Sequence, residues 1–359
     1  MRKKAVLVGL LCASLAGWVS CGSSASHYVY ATIPAANQVV AYREDPNSGI
    51  LSPAYGSPYP GGYGAQYVVV HPSNSFLYVA NSGENDVSLF TIDGSDGALT
   101  EVTPRTTAGT SPTLLAMDPS GSYLYVANAG SFNISVFSIN ATGGGLTPVA
   151  GSPFSTGISP LDMKLNPAGT SLYVGGAGFP GGVVAVFSVT AGVLSLQSVT
   201  DTGSTNPSAI AIDPKGSYLY TGNTSTQQTT GGSISIFTIA STGALTEVSG
   251  SPLGETFTNP DALLVDPSGQ YLYVANEGSS NVAVYTLSSG FPTVQASSPF
   301  GTVAEPSFLA VDPSGKYLLV GSQSSSSIQV FELQQSTGNL FSVSTNKVGN
   351  TASSLAVID

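Results

Sequence analysis

Charge is scarce in this chain, and positive charge is scarcest. Only 8% of the 359 residues are Asp, Glu, Lys or Arg, and nine Lys and Arg face 20 Asp and Glu. Arg2, Lys3 and Lys4 sit at the very start. Beyond Cys21 only Arg43, Arg105, Lys164, Lys215, Lys316 and Lys347 remain, so six cations against 20 acids leave −14 for residues 22–359. That excludes nucleic acid as a partner, because phosphate binding needs clustered Lys and Arg. It equally excludes a basic patch for anionic lipid. On a surface otherwise made of Ser, Thr, Gly and Asn, the acids serve solubility.

Cysteine, histidine and long apolar runs are also short. Of the two cysteines, Cys12 lies in the apolar run Ala5 to Gly17 and Cys21 just after it. That run is too short to cross a bilayer and, behind Arg2, Lys3 and Lys4, has the form of an export signal. Trp18-Val19-Ser20-Cys21-Gly22-Ser23-Ser24 is similar to a bacterial lipoprotein site, with Cys21 as the lipidated residue and Trp18 in place of the usual Leu. The other reading is cleavage after Ser23-Ser24-Ala25. The expected organisation is a signal peptide over 1–21, a short linker over 22–26 and one folded unit over 27–359. A lipid on Cys21 anchors the protein to the cell envelope without spanning it; ordinary cleavage leaves it periplasmic or secreted. Loss of Cys12 leaves no intrachain disulfide, so a large core must replace covalent staples. The only histidines are His27 and His71, which leaves no credible Ser-His-Asp arrangement.

What the chain does have is one phrase, repeated. Asp118-Pro119-Ser120-Gly121-Ser122-Tyr123-Leu124-Tyr125-Val126-Ala127-Asn128 recurs at Asp213 to Asn223, at Asp266 to Asn276 and, loosened, at Asp312 to Ser322. Degenerate copies start at His71 and Asn166. The turn prolines, Pro72, Pro119, Pro167, Pro214, Pro267 and Pro313, are spaced by 47, 48, 47, 53 and 46 residues. A fixed period of this size is a repeat architecture.

Each period contains four strands. In the copy near Ser111, Thr113 to Met117 is mostly apolar, as a doubly covered strand requires. Asp118-Pro119-Ser120-Gly121 is a turn: Asp bonds the backbone, Pro fixes φ and Gly permits the reversal. Tyr123 to Ala127 is β-branched and aromatic, Ile134 to Ile139 alternates, and Leu146 to Ala150 follows Gly143-Gly144-Gly145. No segment has helical periodicity. Four strands per unit make a propeller blade. Six copies carry the Pro turn. The first, Tyr28-Val29-Tyr30-Ala31-Thr32, lacks an inner strand, and Ser353 to Asp359 resembles an inner strand with nothing after it. Asp359 falls 47 residues after Asp312, on the period. The fold expected is an all-β, seven-bladed propeller of four antiparallel strands per blade, with blade one closed by the C-terminal strand.

The Tyr-Leu-Tyr-Val-Ala-Asn phrase, the Asp-Pro-Ser-Gly turn and the count of seven resemble the lactonase-type propellers, which include 6-phosphogluconolactonase-like and muconate-lactonising enzymes. They also resemble the Tyr-Val-Thr-Asn repeats of secreted and surface-layer propellers. The resemblance covers residues 27–359 and rests on blade-building residues, which speak to fold more than to activity. It implies His, Arg and Glu side chains near the central channel. Here His71 takes the Asp position of a turn, His27 precedes the first strand, and no Arg follows Arg105. An anionic sugar phosphate would need Arg or Lys. The expected role is therefore a binding or interaction scaffold at the cell envelope. The alternative is a lactone hydrolase with a diverged site.

One break in the register stands out. Counting back from the turn, the inner strands carry Tyr67, Leu114, Ala209, Ala262 and Phe308 at one position, and Asp162 in blade four. Two residues on they carry Val69, Ala116, Ala211, Leu264 and Ala310, and Lys164 in blade four. Residues two apart share a strand face, so Asp162 and Lys164 are expected side by side at the channel. They form either a ligand site or a wet ion pair. Loops on the same side offer Glu84, Asp86, Gln227, Gln228, Glu277 and Glu305. Asp93 to Gly97 lacks the downstream Glu of a calcium loop, and the Gly-rich runs precede no helix, so neither metal nor phosphate-bearing cofactor is predicted. The expected partner is an extracytoplasmic carbohydrate, lactone or protein, bound by a monomer.

Overall fold

The computed structural model describes residues 27–178, 181–224, 231–254, 257–322 and 324–358. Cys21, Gln227, Gln228 and Asp359 lie outside them. Strands alternate with turns throughout, and the single 3-10 turn Pro34–Ala36 is the only helical element among the described residues. Seven separate antiparallel sheets form seven blades. The inner strands are Ser354–Ile358 for blade one, then Ala65–Val70, Pro112–Met117, Ser159–Leu165, Pro207–Ile212, Pro260–Val265 and Pro306–Val311. Blade one pairs the two ends of the chain, with Tyr28 opposite Ile358 and Thr32 opposite Ser354. His27, expected just ahead of the first strand, is its first residue, because it pairs with Glu44.

The repeated phrase works as the sequence suggests. Asp213 Oδ1 accepts the backbone N–H groups of Ser217 and Tyr218 at 2.6 and 2.7 Å, closing the turn after the inner strand of blade five, and Asp118, Asp266 and Asp312 accept the matching Tyr N–H in theirs. The phrase's final Asn is buried: Asn128 accepts from Gly109 N and donates to Asn133 and Ser135. The second Tyr of the phrase is buried too, and its hydroxyl crosses to the next blade in five copies, while that of Tyr125 has no partner among the described residues. Tyr78 donates to Gly144 O at 2.7 Å, Tyr173 to Gly243 O at 2.9 Å and Tyr220 to Gly290 O at 2.8 Å. Those receiving glycines are required. Gly290 has φ +78, and a Cβ there would lie 2.3 Å from the Tyr218 ring of the neighbouring blade.

The apolar core is divided into seven layers, one between each pair of neighbouring blades. This follows from the period of two: one face of each sheet meets the blade before, the other the blade after. The layer between blades seven and one holds Val29, Ala31, Leu319, Ile328 and Val330, all fully buried. The seam is therefore packed like any other interface.

The outer strands depart from expectation. In blade three, Leu146 to Ala150 was expected to run as one strand, but pairing stops at Pro148 and resumes at Phe154–Ser155. Blades one, five and six break the same way. Ser-Pro with a cis bond sits at each break. The serine hydroxyl accepts the third-strand N–H that the break would orphan, as Ser152 does from Val136 N at 2.9 Å and Ser298 from Val284 N at 2.9 Å.

Candidate functional site

Six inner strands open with a bulge. Their pairing to the second strand skips one residue, for instance between Pro160 and Asp162, Pro207 and Ala209, and Pro260 and Ala262. A bulge leaves a residue unpaired and re-aims its side chain. The skipped residues Gln66, Thr113, Leu161, Ser208, Asp261 and Ser307 all line one cavity of about 400 Å³ at the mouth of the channel. Ser353 closes the ring in blade one. A second cavity of about 590 Å³ continues toward the Asp-Pro turns, walled by Val69, Ala116, Ala211 and Ala310. Tyr67 and Lys164 border both cavities, together with Leu263, Leu309 and Leu355.

Asp162 and Lys164 are brought together as expected. Lys164 Nζ lies 3.3 Å from Asp162 Oδ1, with the lysine side chain 39% and the aspartate side chain 13% exposed. Burial alone would lower the lysine's proton affinity. The Asp162 carboxylate and the hydrogen-bonded Tyr67 hydroxyl outweigh it and push Lys164 further up, so it stays cationic. The aspartate has a second task. Its Oδ1 accepts Met163 N and its Oδ2 accepts Ile210 N of the next inner strand, both at 2.7 Å. The pair is thus also a clamp between blades four and five.

The loop carboxylates do not converge. Glu84 binds Arg105 and accepts Tyr63 N at 3.1 Å, and Arg105 also binds Glu101 at 2.6 Å. Asp86 accepts Asn81 Nδ2 at 2.7 Å; burial pushes its carboxyl up, against that hydrogen bond. Glu305 is exposed, at a residue with φ 54. Glu277 alone acts on the channel, through its field on Asp261. His71 bridges Ser73 and Gly121 O within the turns, a structural place.

Asp261 is the group that residue comparison missed. It stands in the mouth, and its carboxyl is pushed up to about 7 by burial first, then by Glu277 and by Asp162. It lies five residues before the turn's Asp266, one beyond the positions compared above and on the opposite face of a regular strand. The available signal was the position after the strand-opening residue: Gln66, Thr113, Leu161, Ser208 and Ser307 elsewhere, Asp261 in blade six. Beside it in the ring, the buried Ser307 hydroxyl has no partner among the described residues. The mouth can therefore exchange a proton near neutrality at Asp261 and offer one cation and several hydroxyls. Lys164 is the only basic residue lining either cavity among the described residues.

Comparison with known proteins agrees with this architecture. The sequence matches the family described as "Lactonase, 7-bladed beta-propeller" over residues 22–157, 151–259, 184–295 and 251–357. No curated protein matches the chain. Among solved structures, a Bacteroides fragilis protein provisionally named a 6-phosphogluconolactonase superposes with a TM-score of 0.78 at 21% identity, covering 94% of this chain and 99% of its own. A Bacteroides uniformis protein with the same provisional name gives 0.77 at 18% identity, covering 93% and 100%. The periplasmic gluconolactonase of Pseudomonas aeruginosa gives 0.75 at 20% identity, covering 93% and 99%. With a family match running nearly end to end and seven closed blades, the chain belongs to the seven-bladed lactonase β-propeller family.

Proposed function

We propose that this protein hydrolyses an uncharged, sugar-type lactone at the mouth of its channel, with Asp261 as general base. The observation that carries the reading is a carboxyl held near pH 7 inside a ligand-sized cavity, where a general base is most effective. Water held against Asp261 attacks the lactone carbonyl while its proton passes to the carboxylate. Lys164 is placed to stabilise the oxyanion that forms. The ring C–O bond then breaks, the leaving alkoxide takes the proton, and a hydroxy acid results. Its carboxylate is repelled by Asp162, Asp261 and Glu277, which favours release. A phosphorylated substrate fits poorly, since a single cation there faces the negative charge of Asp162, Asp261 and Glu277. Family membership and the gluconolactonase name of one structural neighbour agree with the lactone class.

The test is a panel of neutral lactones, with and without phosphate, corrected for spontaneous hydrolysis. Turnover of a neutral lactone should fall about tenfold per pH unit below pH 7, and Asp261→Asn should lower it about 100-fold or more. The same variant checks folding. Asp261 has a folded pKa raised above its ordinary 3.8 to about 7, so its ionisation costs stability as pH rises from about 4 to about 7. Asp261→Asn should therefore melt higher than the parent at pH 8 and level with it at pH 4. An Asp261→Asn protein that keeps full turnover removes the proposal.

A binding scaffold is the second reading, favoured by the Asp162 oxygens both being engaged by backbone N–H groups. Saturable carbohydrate binding with no turnover of any lactone would select it. For either role we place the protein at the cell envelope, on the strength of Arg2, Lys3, Lys4 and the Cys21 context. Expressed in a bacterium, it should sediment with membranes and become soluble on Cys21→Ser; a parent protein already in the soluble fraction would select the freely secreted form.

A further inference from the structure

A second break in the register lies at the seam between blades seven and one. One third-strand residue in each blade faces the residue just ahead of the phrase's second-strand run. That position is Ile92, Ile139, Val189, Ile239, Leu287 and Leu333 in six blades, bonded to Ser75, Ser122, Thr170, Ser217, Gln270 and Lys316. In blade one it is Glu44, opposite His27. Glu44 has no solvent exposure, and neither of its carboxylate oxygens accepts a hydrogen bond among the described residues. A carboxylate in an aliphatic position, dry and without donors, is costly unless a cation meets it.

Two further ligand-type groups face it. His27 Nδ1 lies 3.6 Å from Glu44 Oε2 and 3.4 Å from Asp312 Oδ2, and the three ligand atoms lie within 4.8 Å of one another. His27 and Asp312 are 6% and 2% exposed. The separations exceed those of good hydrogen bonds. They are close to the edge of a tetrahedron built on metal bonds of about 2.0–2.1 Å, which is roughly 3.3 Å. Asp312 is fixed for the task, because Tyr317 N donates to Oδ1 at 2.6 Å and Ser314 donates to Oδ2 from its backbone at 3.1 Å and from its hydroxyl. Such second partners orient metal-binding carboxylates.

We infer that His27, Glu44 and Asp312 form a structural site for a divalent transition cation of the zinc type, tying the first strand to the turn of blade seven. One imidazole and two carboxylates suit zinc, with a solvent molecule completing four-coordination. The site joins the two ends of the ring, where the chain lacks the covalent turn that the six other blades possess. Sequence motifs predict no metal, since the three ligands come from two blades and have no local spacing.

The experiment uses untagged protein, unfolded in denaturant and refolded with either zinc sulfate or EDTA. Refolding in zinc should leave one zinc per chain after dialysis and raise Tm by about 4 °C over the EDTA sample, when free zinc is about 100 times Kd. Glu44→Leu restores the residue type of the other blades, so it should fold, hold no zinc and melt at one temperature in both conditions. Substoichiometric zinc with superimposable melts for the parent protein would overturn the inference. So would Glu44→Leu retaining a full equivalent of zinc.

Discussion

Removing residues 354–359 should abolish the stable ring. The segment provides the inner strand of blade one, paired from Ser354 opposite Thr32 to Ile358 opposite Tyr28. It also reaches the next blade: Val68 N donates to Ser354 Oγ at 3.4 Å. Ile358 is 5% exposed, and Leu355 and Val357 pack on the layer between blades seven and one. Each lost ladder bond costs about 1 kcal/mol and the buried Ile358 side chain about 2 kcal/mol. The sum is roughly 5 kcal/mol or more, comparable with the whole stability of an ordinary domain. Tm should fall by about 7 °C or more. Val29 and Ala31 would then sit on an open edge, so size-exclusion chromatography should also show self-association. A truncated chain that melts with the intact one and stays monomeric would mean that the termini do not hold the ring together.

This closure was legible in the sequence because it obeys the period. Asp359 falls one period after Asp312, and the first copy of the phrase lacks an inner strand. Turns, second strands and the buried Tyr and Asn positions were legible for the same reason: each is repeated, so chance is averaged out. What stayed hidden lies where repetition fails. Alternation puts Asp261 on the other face from Asp162 and Lys164, and only the bulge, which the sequence does not show, turns it into the channel. Blade one has no Asp-Pro turn to count from, which concealed Glu44. The broken outer strands were missed because a hydroxyl replaces a backbone acceptor there, as Ser152 does for Val136 N, and hydrophobic patterning does not register that exchange. Asp162 and Lys164 were found because they occupy paired positions with apolar counterparts in the other blades.

Asp162→Ala should be the most damaging single substitution in the channel. It strips acceptors from Met163 N and Ile210 N, both bonded at 2.7 Å, and leaves Lys164 without its carboxylate. A hydrogen bond to a charged group contributes about 1.5–3 kcal/mol, and losing a pair's partner adds the cost of an uncompensated charge. Lys164 is 39% exposed, so channel water screens much of that charge. The net expectation is about 3 kcal/mol, measured by denaturant unfolding. Blade five supplies the control, because Ala209 and Ala211 occupy the same two positions there. The double variant Asp162→Ala with Lys164→Ala should be more stable than the sum of the two single losses predicts, by about 1–2 kcal/mol, since no cation is then stranded. It also separates structure from chemistry. If the folded double variant turns lactone over as the parent does, the pair is a clamp alone and the oxyanion role of Lys164 is lost. If turnover collapses while the fold holds, the same two residues brace blades four and five and serve the reaction. A loss below about 0.5 kcal/mol for Asp162→Ala would show that the bridge to Ile210 carries no strength.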